Sequence, residues 1–413
     1  MSKTAVAPSH APMDQWSTHV GELVIGGERL SLLAERVGAT PFYAYDRALL
    51  RGRVAQLREA LPPNIKLHYA MKANPLPALV GFMAGLVDGI DVASAGELRV
   101  ALDAGADPRE ISFAGPGKRV AELRQAVASR VLINVESVRE VQLLAGISAE
   151  LGVPARVALR VNPDFELKGS GMKMGGGPKP FGVDVEDVPA VLAEVTRAGL
   201  AFEGFHLFAG SQNLRAESIC EAQLKSFELA LRLAAVAPGP VRFLNLGGGF
   251  GIPYFPGEQR LDLAPIADNL HRLAERARSE LPAVALVIEL GRYLVGEAGV
   301  YVTRIVDRKV SRGQVFLVTD GGLNHHLSAS GNFGQVIRKN YPVTIGNRVD
   351  SPDREVASVV GPLCTPLDLL ADRMELPVAA VGDLVVVFQS GAYGASASPQ
   401  AFLGHPPCVE VLV

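Results

Sequence analysis

Residues 66–74 have the sequence KLHYAMKAN, and this stretch decides the fold more than any other. The length and apolar character of Lys66–Met71 are typical of a short buried strand. Lys72 follows directly, at the end of that strand. Burying a lysine there is costly unless it has a partner or a chemical task, and one such task is a Schiff base with an aldehyde cofactor. The alternative is a surface lysine whose ammonium reaches water.

The composition is that of an ordinary globular protein, with 413 residues, of which 48% are hydrophobic and 20% charged. The length allows two domains. A net charge of -3 without blocks of like charge predicts neither a nucleic-acid partner nor a membrane partner. The three cysteines, Cys220, Cys364 and Cys408, argue against a disulfide framework. Met1–Trp16 lacks the pattern of a signal peptide, so we expect a cytoplasmic protein. No metal site is predicted.

Moving outward from Lys66–Met71, short apolar strands alternate with helical patterns for about 250 residues. Eight strands separated by helices predict a (β/α)₈ barrel, although an open doubly wound sheet also alternates in this way. The predicted strands are Lys66–Met71, Gly89–Val92, Ile111–Ala114, Val131–Val135, Arg156–Val161, Ala201–Leu207, Arg242–Leu246 and Ala285–Glu289.

After Arg292 the pattern changes to strands and turns with little helix, which predicts a C-terminal β domain. Its predicted strands are Val300–Val310, Val315–Thr319, Pro342–Ile345, Glu355–Val360 and Asp383–Gln389. The predicted organisation is therefore an N-terminal arm and segment over residues 1–40 that packs with the β domain, a barrel over 41–292, and the β domain over 293–413. The glycine-rich insertion Gly169–Pro180 follows the fifth strand and is expected at the barrel's active face.

Several barrel strands end in residues suited to an anionic cofactor. The glycine run of Asn245–Ile252 lets backbone amides approach an anion, although a tight turn alone would explain it. Ile252 stands where the third glycine of a dinucleotide fingerprint would fall, so that motif is excluded. Barrel phosphate sites often use the loops after strands seven and eight. Glu289 and Arg292 follow strand eight, where they could pair with each other or with charges on a cofactor.

Taken in order, these motifs resemble the fold-type III decarboxylases that depend on pyridoxal phosphate, which include diaminopimelate, ornithine and arginine decarboxylases. The resemblance extends from about Leu23 to the end of the chain. It implies an alanine-racemase-like barrel with a C-terminal β domain, in agreement with the strand pattern. The motifs that carry it are Tyr69–Asn74, Asp91–Glu97, Gly204–His206, Gly210–Gln212, Asn245–Gly251, Glu289–Arg292, and the segments around Cys364 and Tyr393.

The resemblance also implies roles for individual residues. Lys72 corresponds to the Schiff-base lysine, and Glu289 to the carboxylate that pairs with the pyridine nitrogen. Cys364 corresponds to a proton donor that reaches the active site from a partner subunit, which implies a homodimer with shared sites. The remaining positions implied to bind the cofactor are Asp91, Phe208, Ser211, Gly248, Gly249, Gly291, Arg292 and Tyr393.

Three positions depart from the family pattern. Phe208 replaces a histidine that stacks on the cofactor ring. Thr365 replaces an acidic residue that binds the distal ammonium of a diamino acid substrate, and Ser328 replaces an arginine. Because a buried distal charge without a partner would be very unfavourable, these changes disfavour a free diamino acid.

Within the family, the insertion, Phe208 and the Cys364–Pro366 run most resemble a branch associated with exosortase gene clusters. They also resemble decarboxylases that act on glutamyl groups attached to an acyl carrier protein. We therefore expect decarboxylation of an amino acid with a masked side-chain carboxyl. The alternatives are a free amino acid such as diaminopimelate, a racemase of the same fold, or a non-catalytic cofactor-binding homologue. Glu289 disfavours the racemase, which typically places an arginine against the pyridine nitrogen.

Overall fold

The computed structural model describes residues 8–166, 172, 173 and 175–413. The chain divides into two compact units. The barrel unit comprises Arg53–Gly251 and Leu261–Tyr293, and the β unit comprises Met1–Gly52, Ile252–Arg260 and Leu294–Val413. Among the described helices, none is both long and apolar enough to cross a membrane.

Eight parallel strands form a closed ring in the barrel unit. Each strand pairs with the next, and β8 pairs with β1, which confirms the predicted barrel and excludes the open sheet. The predicted strand positions agree within about two residues at either end. The strands are β1 (Ile65–Ala70), β2 (Gly89–Val92), β3 (Ile111–Phe113), β4 (Leu132–Val135), β5 (Arg156–Asn162), β6 (Ala201–Leu207), β7 (Phe243–Gly248) and β8 (Ala285–Leu290).

Helices connect the strands, and local sequence explains where two of them begin. The Ser94 side chain caps α2 by accepting a hydrogen bond from Glu97 N, and Ser137 caps α4 in the same way. Gly152 ends α4 in the left-handed conformation that glycine favours. The helices are α1 (Pro77–Ala84), α2 (Ala95–Asp103), α3 (Val120–Ala128), α4 (Val138–Leu151), α5 (Val188–Arg197), α6 (Ala216–Ala234) and α7 (Ala264–Glu280). Arg47–Ala60 precedes β1, and Arg292–Val295 follows β8.

The barrel strands are buried along most of their length, as expected for a parallel sheet covered by helices. Polar side chains nevertheless recur on them at buried positions. A barrel filled only for stability would carry branched apolar residues in its interior, so these polar positions indicate a site. They are His68, Asp91, Ser112, Asn134, Arg160, Asn162, His206, Asn245 and Glu289.

The β unit is built on one eight-stranded sheet and a small three-stranded sheet. The large sheet has the order Val343–Ile345, Leu384–Val387, Gly299–Ser311, Gln314–Thr319, Arg354–Val360 and Leu369–Pro377. Phe42–Tyr45 also pairs with Gly299–Ser311, and Val409–Leu412 pairs with Phe42–Tyr45. The small sheet contains Thr18–His19, Glu22–Ile25 and Glu28–Arg29, and the helix Leu30–Val37 follows it. This architecture confirms a mostly β C-terminal domain.

The N-terminal segment shares a hydrophobic core with the large sheet. Trp16, Leu23 and Leu30 pack in one cluster with Phe42 and Val300. Phe42 belongs to a strand that pairs with Gly299–Ser311, so this strand lies in the β unit, although residues from 41 onward were assigned to the barrel. Local sequence carries no signal for such a distant pairing, which explains the difference.

Candidate active site

Lys72 lies in a single helical turn, Met71–Ala73, directly after β1. The strand ends at Ala70, one residue earlier than predicted, and the Lys72 side chain is exposed. Its Nζ lies 5.4 Å from the centre of the Phe208 ring. Gly291 permits a close approach to this turn, because a Cβ there would lie 3.0 Å from the Ala70 carbonyl oxygen. The structure therefore places Lys72, Phe208 and Gly291 at the carboxyl end of the barrel.

Glu289 is buried at the end of β8 and has two neighbours inside the barrel. His206 Nε2 lies 3.1 Å from Glu289 Oε2, and Asn245 Nδ2 donates a hydrogen bond of 3.4 Å to the same oxygen. Burial alone would raise the pKa of Glu289, but the contact with His206 and the charges of Lys72 and Arg160 lower the pKa to about 2. Glu289 is consequently ionised at neutral pH, with cationic groups nearby.

His206 retains unused hydrogen-bonding capacity. Within the described part of the chain, neither of its ring nitrogens makes a well-aligned hydrogen bond, although the residue is only 2% exposed. A buried polar atom without a partner is unfavourable and indicates a group that binds there. His206 belongs to the Gly204–His206 motif, but the sequence predicts no role for it in the site.

Asp91 lies on β2 beside the end of β1, with Ala70 as its cross-strand partner. Its Oδ1 is 3.2 Å from His68 Nδ1. In the next loop, Ala93 N donates a hydrogen bond of 2.6 Å to Glu97 Oε2. Burial raises the pKa of Glu97, while that hydrogen bond and the positive charge of Lys72 oppose the shift. Two acidic side chains therefore lie near the lysine turn.

The glycine run after β7 forms a backbone cradle. Gly247 and Gly249 have φ angles of +71° and +76°, which favour glycine. A Cβ on Gly248 would lie 2.1 Å from the carbonyl oxygen of Glu289, so only glycine fits beside β8. After β6, Ser211 belongs to a short strand that pairs with Met172–Lys173. Arg292 follows β8 and begins a short helix. These segments place glycine amides, a hydroxyl and a guanidinium at the ends of β6, β7 and β8.

The described part of the glycine-rich insertion lies against β5. Gly176 N donates to Asn162 Oδ1 at 3.0 Å, and Asn162 Nδ2 donates to Gly177 O at 2.9 Å. This arrangement puts residues 175–182 at the carboxyl end of the barrel, while residues 169–171 and 174 of the insertion lie outside the described residues.

A buried network of charges, which the sequence analysis did not identify, extends from the active-site end of the barrel toward α4. Arg160 Nη1 lies 3.0 Å from Glu136 Oε1, and Lys118 Nζ lies 3.1 Å from Glu140 Oε2. Burial lowers the pKa of Lys118, although both glutamates oppose that shift. Burial would raise the pKa of Glu136, but Arg160 and Lys118 reverse the effect and lower it. The ion pair with Glu136 therefore fixes the position of the Arg160 side chain in the site.

The other predicted site residues, Ser328, Cys364, Thr365 and Tyr393, lie in the β unit. Ser328 Oγ donates a hydrogen bond of 2.9 Å to Tyr393 O, so these two residues are adjacent. Cys364 is exposed and Thr365 is half-buried.

Asp368 holds the turn that carries Cys364 and Thr365. Its Oδ2 accepts a hydrogen bond of 2.8 Å from Leu363 N, and its Oδ1 accepts one of 2.6 Å from Leu323 N. Burial raises the pKa of Asp368, while these two amides oppose the shift. Both carboxylate oxygens of Asp368 therefore accept hydrogen bonds from backbone amides.

The barrel residues fit pyridoxal phosphate. The glycine cradle and Ser211 suit a phosphate, the Glu289 anion suits a protonated pyridine nitrogen, and Phe208 can stack on a ring. His206 Nδ1, which has no hydrogen-bond partner among the described residues, is an additional polar group available to a ligand. No group of three or more histidine, cysteine or acidic side chains in the described ranges is arranged to hold a metal ion.

Comparison with known proteins agrees with this fit. Residues 47–296 match the family model described as the pyridoxal binding domain of pyridoxal-dependent decarboxylases. The chain belongs to the pyridoxal-dependent decarboxylases. It is 40% identical over 379 residues to L-glutamyl-[BtrI acyl-carrier protein] decarboxylase of Niallia circulans, a match that covers 90% of this chain and 88% of that protein.

Two further relatives carry a different name. Diaminopimelate decarboxylase of Aquifex aeolicus is 34% identical, with 95% of this chain and 91% of that protein covered. The solved structure of the diaminopimelate decarboxylase from M. jannaschii in complex with L-lysine superposes with a TM-score of 0.88 at 26% identity, covering 96% of this chain and 92% of that one. This pyridoxal-dependent decarboxylase is therefore similar, over most of its length, to relatives that are named for different substrates.

Proposed function

We propose that this decarboxylase removes the α-carboxylate of an amino acid whose side-chain carboxyl is masked, as in a glutamyl thioester on an acyl carrier protein. Support comes from the L-glutamyl-[BtrI acyl-carrier protein] decarboxylase to which the chain is 40% identical. The observation that carries the proposal is the neutrality of Thr365 and Ser328, two of the three positions that differ from the family pattern.

The carboxylate nearest to these positions in the chain does not restore the missing charge. Asp368 is 3% exposed, and both of its oxygens accept backbone amides. Ser328 is 4% exposed and donates to Tyr393 O. A free diamino acid would bring a distal ammonium that has no acidic partner on this turn, at a cost of several kcal/mol if it were buried there. A side chain ending in an uncharged acyl group needs no such partner.

The proposed reaction assigns a task to three side chains. Lys72 holds the cofactor and gives up its place when the substrate amine arrives. Bound pyridoxal phosphate supplies the electron sink for the charge left on Cα after the bond to the carboxylate breaks and CO₂ leaves. Glu289, as an anion, stabilises positive charge on the pyridine nitrogen. Cys364 Sγ or Lys72 Nζ then delivers a proton to Cα.

We further propose that the active unit is a homodimer in which Cys364 serves the partner's site. Cys364 is exposed on the single chain. The segment Asn332–Arg338 is bound to the Cys364 turn, because Asn332 Nδ2 donates to Leu367 O at 3.3 Å and Arg338 Nη2 donates to Leu369 O at 2.8 Å. The same surface exposes large apolar side chains, which is typical of an interface. They are Phe333, Val336, Ile337 and Leu367.

The proposed substrate is tested by comparing kcat/KM for free diaminopimelate, ornithine, lysine and glutamate with kcat/KM for γ-glutamyl-pantetheine and its carrier-bound form. We expect efficient turnover only of the thioesters, with CO₂ release as the readout. Turnover of free diaminopimelate in the usual enzyme range, about 10⁴ M⁻¹s⁻¹ or above, would overturn the substrate assignment and favour a diaminopimelate decarboxylase.

A further inference from the structure

His68 is a buried histidine on β1, and the chemistry proposed above gives it no task. The residue is 2% exposed. Its cross-strand partner on β2 is Gly89, and Ala70 pairs with Asp91. His68 Nδ1 lies 3.2 Å from Asp91 Oδ1, so the two side chains connect the strands directly before the turn that carries Lys72.

Each partner of this pair has a second polar atom that is buried. Asp91 Oδ2 and His68 Nε2 have no hydrogen-bond partner among the described residues. Leaving buried polar atoms unpaired is unfavourable, so these two atoms indicate groups that bind at either end of the pair. The arrangement suits a pair that exchanges protons or hydrogen bonds with groups arriving at either end.

His68 also lines a small cavity at the amino ends of the barrel strands. The cavity has a volume of about 90 Å³ and is lined by His68, Lys66, Glu110, Ser112 and Arg156, among others. That volume is large enough to hold water. Gly89 leaves room for the imidazole, because a Cβ there would lie 2.5 Å from His68 Nε2. His68 therefore lines this polar cavity and also contacts Asp91.

The charges around His68 favour its protonated form. Burial lowers the pKa of His68, but Asp91 and Glu110 outweigh burial and the opposing charge of Lys66, so the pKa is raised above 6.5. Lys66 and Glu110 form an ion pair of 2.5 Å. The cavity also borders the Arg156–Glu203 ion pair of 3.2 Å, together with Arg109 and Arg242.

We propose that His68 is a positioning residue, which fixes the Asp91 carboxylate beside the lysine turn and exchanges its proton with water in the cavity at the amino end of the barrel. Residues at the amino end of the barrel thereby help to maintain the charge of the active site, a task that lies outside the decarboxylation chemistry. Asp91 keeps one oxygen bound to the imidazole and leaves the other oxygen available to a donor at the site.

The direct test is NMR titration of the full-length chain with histidine labelled in the ring, with and without pyridoxal phosphate. The chain has eight histidines, and the His68 signal is assigned as the one missing in His68→Gln. We expect this signal to titrate above pH 6.5 and to move to lower pH in Asp91→Asn. If Asp91→Asn leaves the titration unchanged, or the signal titrates below 6.5 in the unmodified chain, the pair does not exist as proposed.

Kinetics separate positioning from simple structural support. In His68→Gln we expect kcat to fall about tenfold while KM changes less than twofold, and the acidic limb of the kcat/KM profile to move to higher pH. Ser112→Ala is the matched control, because Ser112 lines the same cavity but accepts its hydrogen bond from Asn134. A loss of thermal stability in His68→Gln with an unchanged pH profile would show that His68 only fills space. If His68→Gln fails to fold, the titration shift in Asp91→Asn still decides the question, with the signal assigned by selective labelling.

Discussion

His206 and Glu289 meet inside the barrel, with His206 Nε2 3.1 Å from Glu289 Oε2. The two residues lie on β6 and β8, and β7 lies between these strands and contributes Asn245 to the same oxygen. The contact therefore joins side chains from three adjacent strands around one carboxylate oxygen. It also shows that Glu289 reaches its ionised state partly through a residue that the sequence motifs left without a role.

Replacing Glu289 by glutamine removes the anion proposed to stabilise the protonated pyridine nitrogen. Because that stabilisation is preorganised and buried, we expect kcat to fall by about 10²-fold or more. The matched control is Glu203→Gln, since Glu203 pairs with Arg156 at the opposite end of the barrel. Near-normal kcat in Glu289→Gln, measured by CO₂ release with saturating cofactor, would show that the ring nitrogen is not paired with this residue.

The same substitution should make stability depend less on pH. The folded-state pKa of Glu289 is about 2, below its ordinary value of 4.5, so ionised Glu289 stabilises the fold above pH 4.5. That contribution is lost as pH falls from 4.5 toward 2. Urea unfolding should therefore show the unmodified chain losing more stability than Glu289→Gln over this interval. Equal losses in the two proteins would mean that the pKa of Glu289 is not depressed in the fold.

Lys72 is expected to hold the cofactor covalently. Lys72→Ala should lose the pyridoxal adduct that borohydride traps in the unmodified chain, because no other amine is expected to take its place. Lys66→Ala is the matched control, since Lys66 lies on the same strand but pairs with Glu110. Mass spectrometry of tryptic peptides reports the modified residue. An adduct on another lysine would contradict the assignment.

Local sequence could predict the barrel because each strand is an apolar run with a helix after it. It could not predict pairings that depend on distant segments. Leu369–Pro377 was not predicted, since it is an edge strand with charged residues and a positive φ at Arg373. Val409–Leu412 pairs with Phe42–Tyr45 from the opposite end of the chain, which no local pattern indicates.

In the candidate site, too, some residues could be predicted from local motifs and others could not. Motif positions predicted Lys72, Glu289 and the glycine cradle, whereas the supporting contacts of His206 and Arg160 were missed. Both are buried polar residues on apolar strands, and that signal was present in the sequence. What was absent was the strand register that brings His206 to Glu289 and Arg160 to Glu136.

Subunit mixing tests whether two chains share each active site. Lys72→Ala and Cys364→Ala chains should each be inactive alone. Randomly exchanged equal mixtures should recover about a quarter of the unmodified activity, because half of the dimers then contain one intact site out of two. Subunit exchange is confirmed separately with two affinity tags. Absence of recovery in exchanged dimers would show that Cys364 does not act across an interface.

Thr365 provides the sharpest test of what the substrate carries at its far end. The residue is half-buried on the turn held by Asp368, and its neutrality is the main argument against a free diamino acid. Thr365→Glu places a carboxylate at this position. A charge-assisted hydrogen bond to a distal ammonium contributes about 1.5–3 kcal/mol, so kcat/KM for free diaminopimelate should rise roughly 10- to 100-fold.

Turnover of γ-glutamyl-pantetheine by Thr365→Glu should fall, because the new charge has no partner on that substrate. Thr365→Gln has the shape of the glutamate variant without its charge, and it should produce neither change. The measurement is the ratio of kcat/KM values for the two substrates in all three proteins. If Thr365→Glu leaves that ratio where Thr365→Gln leaves it, Thr365 does not face the distal end of the substrate, and its neutrality carries no information about specificity.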